Sequence, residues 1–266
     1  MKRTIVASLL KPATLLLVDN LSFQTDYSRF APEVLDNQSR RTEINSCMRG
    51  RSFGPILLLL NFFYCQKSPV PNLEEVKPSL RIEKGLVNIK DIDPNIEIDL
   101  RYSTSDNFTG SVIYPFQTCL LRKETAEKLK AANSEFQSYG YRIKIWDGYR
   151  PPYAQKILWE KVPNPRYVGN PTKGGSVHNR GGAVDLTLID SEGRELEMPS
   201  AYDEFTYKAS PFRKDLEPVV SKNLEVLVGI LTKHGFKQIS SEWWHYNDGD
   251  AKVYPLVEVD PKLWEK

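Results

Sequence analysis

The chain has 266 residues, a formal net charge of +2, 40% hydrophobic residues and 26% charged residues. These proportions fit a soluble globular protein, either one domain with extra segments or two small domains. A nearly neutral balance without a long basic run gives a nucleic-acid partner no electrostatic support. The three cysteines, Cys47, Cys65 and Cys119, are too few and too scattered for a disulfide framework.

The first 65 residues read as an extension. Residues 1–23 pair Lys2 and Arg3 with an apolar run that Lys11 and Pro12 interrupt, and residues 24–47 are polar without a period. Met48-Arg49-Gly50-Arg51 then precedes an apolar stretch from Phe53 to Cys65 that includes Leu57–Leu60. A basic start followed by an apolar core of this length is the pattern of an export signal, too short to span a membrane. Cys65 and the polar Gln66-Lys67-Ser68-Pro69 after it look like a bacterial lipoprotein signal, with lipidation and membrane attachment at Cys65. Tyr64 departs from that pattern, being bulky where such signals take a small residue. An apolar helix docked on the domain accounts for the same run, and Met48 as the true start is a third reading. Export places the protein in the bacterial envelope, periplasmic or lipid-anchored; a cytoplasmic location is the alternative. Residues 66–85, Pro-rich and charged at first, read as a linker, and 86–266 as the folded domain.

Within that domain the apolar spacing of Ile92, Ile96, Ile98 and Leu100 predicts a strand. Leu121, Ala126, Leu129, Ala132 and Phe136 predict a helix over 121–139, capped by Gly140. Tyr141, Ile143 and Ile145 predict a strand ending at Asp147-Gly148, and 153–161 a short helix after Pro151-Pro152. Residues 162–175, with three prolines and three glycines, read as a long loop. Residues 182–189 alternate as a strand, with Val184, Leu186 and Leu188 on one face and Ala183, Asp185 and Thr187 on the other. An amphipathic helix over 218–234 stops at Gly235, and 236–246 is extended. Helices interspersed with short, non-adjacent strands predict an α+β fold, a small mainly antiparallel sheet flanked by helices.

Two segments near the C-terminal end carry the chemistry: Ser176-Val177-His178-Asn179-Arg180-Gly181-Gly182-Ala183-Val184-Asp185 and Glu242-Trp243-Trp244-His245. They hold two of the chain's three histidines, each a few residues from a carboxylate. A catalytic zinc ion takes three ligands from His and Asp/Glu and keeps a fourth position for water. His178, Asp185 and His245 can fill that role, one ion per chain, with Glu242 left as a base. Gly181-Gly182 lets the chain turn between His178 and the strand bearing Asp185. Glu242 and His245 are three apart and would face opposite ways on a regular strand, so a bend is expected at Trp243-Trp244. Taken singly, Asp185 also fits a turn-capping carboxylate, His178 a surface loop histidine, and the tryptophans core packing. His234, at a helix end before Gly235, reads as a dipole-complementing or surface histidine rather than a metal ligand. Arg150, permanently charged and fork-shaped, fits either an oxyanion partner or an ion pair with Asp147.

Ser176-x-His178-x-x-Gly181-x-Ala183-x-Asp185 with Glu242-x-x-His245 resembles the zinc D,D-peptidases that act on bacterial cell-wall peptides. Within them it is more similar to the D-alanyl-D-alanine dipeptidases associated with vancomycin resistance (VanX-type). Arg101–Gly110, Trp146-Asp147-Gly148-Tyr149-Arg150-Pro151 and Met198–Phe205 look like further motifs of that branch. The resemblance spans about residues 92–246 and leaves the N-terminal extension outside it. Members of the family are often cytoplasmic, so an export signal is a departure.

The resemblance implies the zinc D,D-peptidase (Hedgehog-like) fold and hydrolysis of D-alanyl-D-alanine and related free dipeptides. It implies His178, Asp185 and His245 as ligands, Glu242 as general base and acid, and Arg150 as the oxyanion partner. It implies that Ser176 and Tyr114 hold the substrate carboxylate, and Tyr102 and Asp203 its free amino group. A D-alanyl-D-alanine carboxypeptidase or wall endopeptidase on the same core, and a non-catalytic wall-peptide binding module, are the alternatives. Antibiotic resistance, wall recycling and nutrient salvage all fit the chemistry.

Overall fold

The computed structural model describes residues 79–265. The signal-like segment, Cys65 and most of the linker lie outside the described residues. Among the described residues no helix is long and apolar enough to cross a membrane.

The chain enters through β1 (Leu86–Asn88), which pairs antiparallel with β3 (Leu120–Arg122) as a two-stranded ribbon. Between them the sequence departs from the single strand that its isoleucines predict. Asn88 accepts the backbone N–H of Lys90 and starts a one-turn helix, α1 (Ile89–Ile92), and Asp93 accepts the N–H of Asn95 in a tight turn. Only β2 (Glu97–Ile98) is left extended. Side-chain caps of this kind compete with strand ladders, and here they split the run.

Helix α2 (Lys123–Ser138) follows β3 directly and buries Ala126, Leu129, Ala132 and Phe136 at i, i+3, i+6 and i+10, the stripe of a helix with one face in a core. Gly140, at φ +79°, closes it by donating to Gln137 O. Strand β4 (Arg142–Asp147) and helix α3 (Pro152–Lys161) come next, the latter with proline at its first position. After the long loop comes β5 (Ala183–Ile189), with all seven residues buried. Helix α4 (Pro218–Lys233) buries Leu224, Leu227, Ile230 and Leu231, and β6 (Phe236–Gln238) and β7 (His245–Asp248) complete the chain's main elements.

The main sheet has five strands in the order β2-β4-β5-β7-β6. Every neighbouring pair is antiparallel except β2 with β4, which is parallel, so the mainly antiparallel α+β expectation holds. Alternation along the central strands gives one face Ile143, Ile145, Leu186, Leu188, Val184 and Tyr246, which share one core cluster with the buried stripes of α2 and α4. Full burial of such a side chain contributes about 1.5–3 kcal/mol. The opposite face is covered by loops rich in aromatic residues. Trp146 stands edge-on to Trp243, which stands edge-on to Trp244, and Tyr202 packs between Trp146 and Trp244.

Candidate active site

Strand register puts three ionisable residues in one row across three adjacent strands. Asp147 of β4 lies opposite Asp185 of β5, and Asp185 lies opposite His245 of β7. Directly opposed residues share a face, with Cβ atoms about 5 Å apart. The row depends on a bulge in β4, because Ile145 pairs with Leu186 whereas Asp147, not Trp146, meets Asp185. A regular ladder would bring the indole opposite Asp185.

His178 reaches the row from outside the sheet. It sits in a 3-10 turn, Val177–Arg180, that Ser176 and Asn179 close as a capping box. Gly181 ends the turn at φ +69°, where a Cβ would collide with Leu86. Arg122 clamps the segment: its backbone N–H donates to Gly181 O at 2.8 Å and its guanidinium to Arg180 O, also at 2.8 Å.

His178 Nε2, His245 Nδ1 and Asp185 Oδ1 converge. The two nitrogens are 3.1 Å apart and lie 3.3 and 2.9 Å from the carboxylate oxygen. The other nitrogen of each ring faces an acceptor, Gly148 O at 2.7 Å from His178 Nδ1 and Asn247 Oδ1 at 3.0 Å from His245 Nε2. Each of those nitrogens therefore carries the proton, and the two converging nitrogens present lone pairs. Three lone pairs crowded this closely, all buried, form a socket for a cation. Their separations approach the edge of about 3.3 Å that tetrahedral ligation at zinc bond lengths requires. When the imidazoles are instead fully protonated, their charges outweigh the upward push of burial and hold the Asp185 carboxyl far below the usual range.

Glu242 stands beside this cluster. The chain bends at Trp243 and Trp244, as the three-residue spacing requires, and brings Glu242 Oε2 to 3.9 Å from His245 Nδ1. Its Oε1 is buried without a hydrogen-bond partner. Burial pushes the Glu242 carboxyl up to about 8, against the lowering effect of His245. A carboxylate poised near neutral pH, with one oxygen uncommitted, suits proton transfer.

Arg150 is buried and makes the ion pair that its neighbourhood allows. Nε and Nη2 donate to Asp147 Oδ2 at 2.9 and 2.6 Å, and Nη1 donates to Gln155 Oε1 at 3.1 Å. Gln155 in turn donates to Gly169 O at 2.7 Å, which ties the guanidinium to the long loop. Three of the five N–H groups are thus used, and two remain for the pocket that Arg150 lines. Nη2 is also 3.8 Å from Asp185 Oδ2, so the guanidinium borders the row.

That pocket, about 230 Å³, is lined by His178, Asp185, His245, Glu242, Arg150, Ser176, Tyr102 and Asp203 among others. The Tyr102 hydroxyl donates to Asp203, 3.2 and 3.3 Å from its two oxygens. Burial and the nearby Asp185 push the Asp203 carboxyl well above its usual range, with only Arg150 and the Tyr102 hydroxyl opposing. Tyr114 is placed differently from the other predicted residues: it does not line the pocket, and its buried hydroxyl donates to Asp147 Oδ1 at 2.7 Å. Ser176 lines the pocket, and its hydroxyl accepts from the His178 N–H at 3.3 Å. His234 ends α4 and pairs with Glu135 at 2.7 Å, the bland role its position suggests. Cys119 is buried against Gly148, its thiol raised by burial, and is not in the ligand cluster.

Four residues of the site have roles that the sequence does not mark, although Tyr202 and Asp147 lie inside Met198–Phe205 and Trp146–Pro151 and Asp147 is the ion-pair partner that the sequence offers Arg150. Gln155 and Asn247 become visible only through their partners, Tyr202 through its bond to Asp185, and Asp147 through the register that places it in the row. For Asp147 the motif Trp146–Pro151 marks the neighbourhood without marking the role.

A family model described as D-ala-D-ala dipeptidase matches residues 82–260. The chain is 41% identical over 172 residues to the D-alanyl-D-alanine dipeptidase of Escherichia coli, covering 65% of this chain and 89% of that protein. It is 30% identical over 185 residues to the D-alanyl-D-alanine dipeptidase of Enterococcus faecalis, covering 62% and 92%. A solved structure of a mutant of the vancomycin-resistance D,D-pentapeptidase VanY with Zn(II) aligns at a TM-score of 0.34 and 13% identity, over 61% of this chain and 83% of that one. With the family model spanning well over half of its length, the chain belongs to the D-Ala-D-Ala dipeptidase family.

Proposed function

We propose that the protein is a zinc-dependent dipeptidase that hydrolyses D-alanyl-D-alanine and related free dipeptides, with His178, Asp185 and His245 holding the ion. The observation that carries this reading is the meeting of three buried lone pairs beside an uncommitted carboxylate. Zinc held there supplies Lewis acidity to the scissile carbonyl and to a water molecule. Glu242 accepts a proton from the attacking water through its free oxygen and returns it to the departing amine. The two unused N–H groups of Arg150 stabilise the carbonyl oxygen as it gains negative charge, and Asp147 and Gln155 fix the fork that presents them.

Substrate length follows from Asp203. The Asp203 carboxyl, pushed toward protonation, has no ion-pair partner among the described residues, and the ammonium of a free dipeptide supplies one. Tyr102 holds the carboxylate for that contact. Ser176, at the pocket wall, takes the substrate carboxylate. Tyr114 does not reach that carboxylate; its hydroxyl holds Asp147, which fixes Arg150 for the carbonyl oxygen. The catalytic domain is residues 86–266 in this reading, although the side chains of Arg81 and Lys84 already bond to it. Residues 1–65 are an extension that ends in an export signal at Cys65, with envelope placement following from that signal.

The test compares D-Ala-D-Ala with N-acetyl-D-Ala-D-Ala, with and without a chelator. Acylation removes the charge and leaves Asp203 unpaired, so kcat/KM should fall by about 10³-fold or more. Chelation should abolish turnover and zinc should restore it. Comparable values for the two substrates would refute the dipeptidase reading and favour a carboxypeptidase.

A further inference from the structure

The loop between β5 and α4 brings one more side chain to the cation socket. The Tyr202 hydroxyl donates to Asp185 Oδ2 at 3.0 Å. That is the oxygen not shared with the histidines, which crowd Oδ1. The other group near Oδ2 is Arg150 Nη2, at 3.8 Å and beyond hydrogen-bond reach. Among the described residues Tyr202 is therefore the one hydrogen-bond donor to Oδ2.

The ring that carries this hydroxyl is held from three sides. Its centroid lies 5.0 Å from Trp146, 5.5 Å from Trp244 and 6.2 Å from Tyr102. Trp146 is the bulge residue of β4, and Trp244 immediately precedes His245. The tyrosine is thus wedged between the two strands that flank Asp185, and its hydroxyl has little freedom to leave the carboxylate. The next residue, Asp203, is at φ +59°, so the backbone turns there and sends its own carboxylate to Tyr102 instead.

We infer that Tyr202 is a positioning residue for the metal ligand: it occupies Oδ2, so that Asp185 offers a single oxygen to the ion. The inference rests on the zinc reading above. A carboxylate free at both oxygens can ligate through both, and the second would compete for the position that water needs. A hydrogen bond to the outer oxygen prevents this and fixes the inner oxygen in place before the ion arrives. Such outer partners typically contribute 10–100-fold in metal affinity.

The test is Tyr202→Phe, which keeps the ring and its aromatic contacts and removes only the donor. Metal-free protein is titrated with zinc against a chromophoric chelator. The zinc Kd should rise by about 10–100-fold. The metal-free melting temperature should fall by no more than about 4 °C, the effect of one lost hydrogen bond. With cobalt in place of zinc, the visible absorption band should weaken as Asp185 ligates through both oxygens and the coordination number rises. An unchanged Kd and an unchanged cobalt band in a folded variant would overturn the inference and leave the dipeptidase reading intact. A parent protein that takes up neither metal would overturn both.

Discussion

Asp147 is the residue whose replacement tests the architecture of the site most directly. It is fully buried, and its Oδ2 accepts two bonds from Arg150 while Oδ1 accepts the Tyr114 hydroxyl. Asp147→Asn preserves the shape and removes the charge. One of the two positions then carries an amide NH₂, so either Tyr114 or Arg150 faces a donor. The guanidinium, with only 7% of its side chain exposed, keeps its charge in a closed interior. Breaking a buried pair from one side costs about 3–5 kcal/mol. For a domain of this size, at roughly 2–4 °C per kcal/mol, the melting temperature should fall by about 6–20 °C. The assay is thermal melting of metal-free protein at neutral pH, followed by circular dichroism. Zinc affinity should fall in parallel, because the nearest remaining carboxylate to Arg150 is Asp185, a proposed ligand. Adding Arg150→Met to the variant should recover part of the lost stability, since it removes the uncompensated charge. A melting temperature within about 2 °C of the parent would refute the claim that this pair holds the site together.

Two further outcomes follow from the same geometry. Glu242→Gln should keep full zinc occupancy and lose turnover by about 10²–10⁴-fold, because the residue sits beside the ligands and is not one of them; metal analysis together with single-turnover kinetics checks both parts, and activity within a few-fold of the parent would assign the base elsewhere. Away from the site, the buried Asp248 should shape acid stability. Burial pushes its carboxyl up, but the Asp250 N–H, Lys128, Thr125 and Tyr254 outweigh that and hold it below the usual range. A depressed folded value means that its contribution is present above the unfolded value of about 3.9 and is lost as pH falls through the lower folded one. The stability gap between parent and Asp248→Asn, measured by urea unfolding, should therefore be widest near neutrality and shrink below about pH 4; a gap independent of pH would contradict this.

How far the sequence can be read depends on whether a signal is local. Helices α2 and α4 are legible because each carries a periodic apolar stripe and stops at a glycine, Gly140 or Gly235, that takes positive φ. Strand β5 is legible because apolar residues alternate around Asp185. The β1–β3 ribbon is not, because three-residue strands have too few side chains to show a period and their pairing is set by residues more than thirty positions apart. The region from Ile92 to Leu100 misleads for a related reason. Its isoleucines are core residues at an incidental spacing, and the side-chain caps at Asn88 and Asp93 decide the backbone.

The site divides along the same line. A cation socket built from scarce residue types can be read from spacing, since few histidines leave few choices. The residues that make it work are common ones, distinguished only by register. The bulge at Trp146 shows why. With a regular ladder the indole would oppose Asp185 and Asp147 would turn to the apolar face, where its charge would be costly to bury. One extra residue in β4 reverses both placements: it sets Asp147 beside Asp185 to receive Arg150, and it leaves the Trp146 ring free to brace Tyr202 against the outer oxygen of Asp185. The presentation of Arg150 and of the aspartate ligand thus both depend on one irregularity, which is expressed in strand pairing and has no counterpart in the order of residue types along the chain.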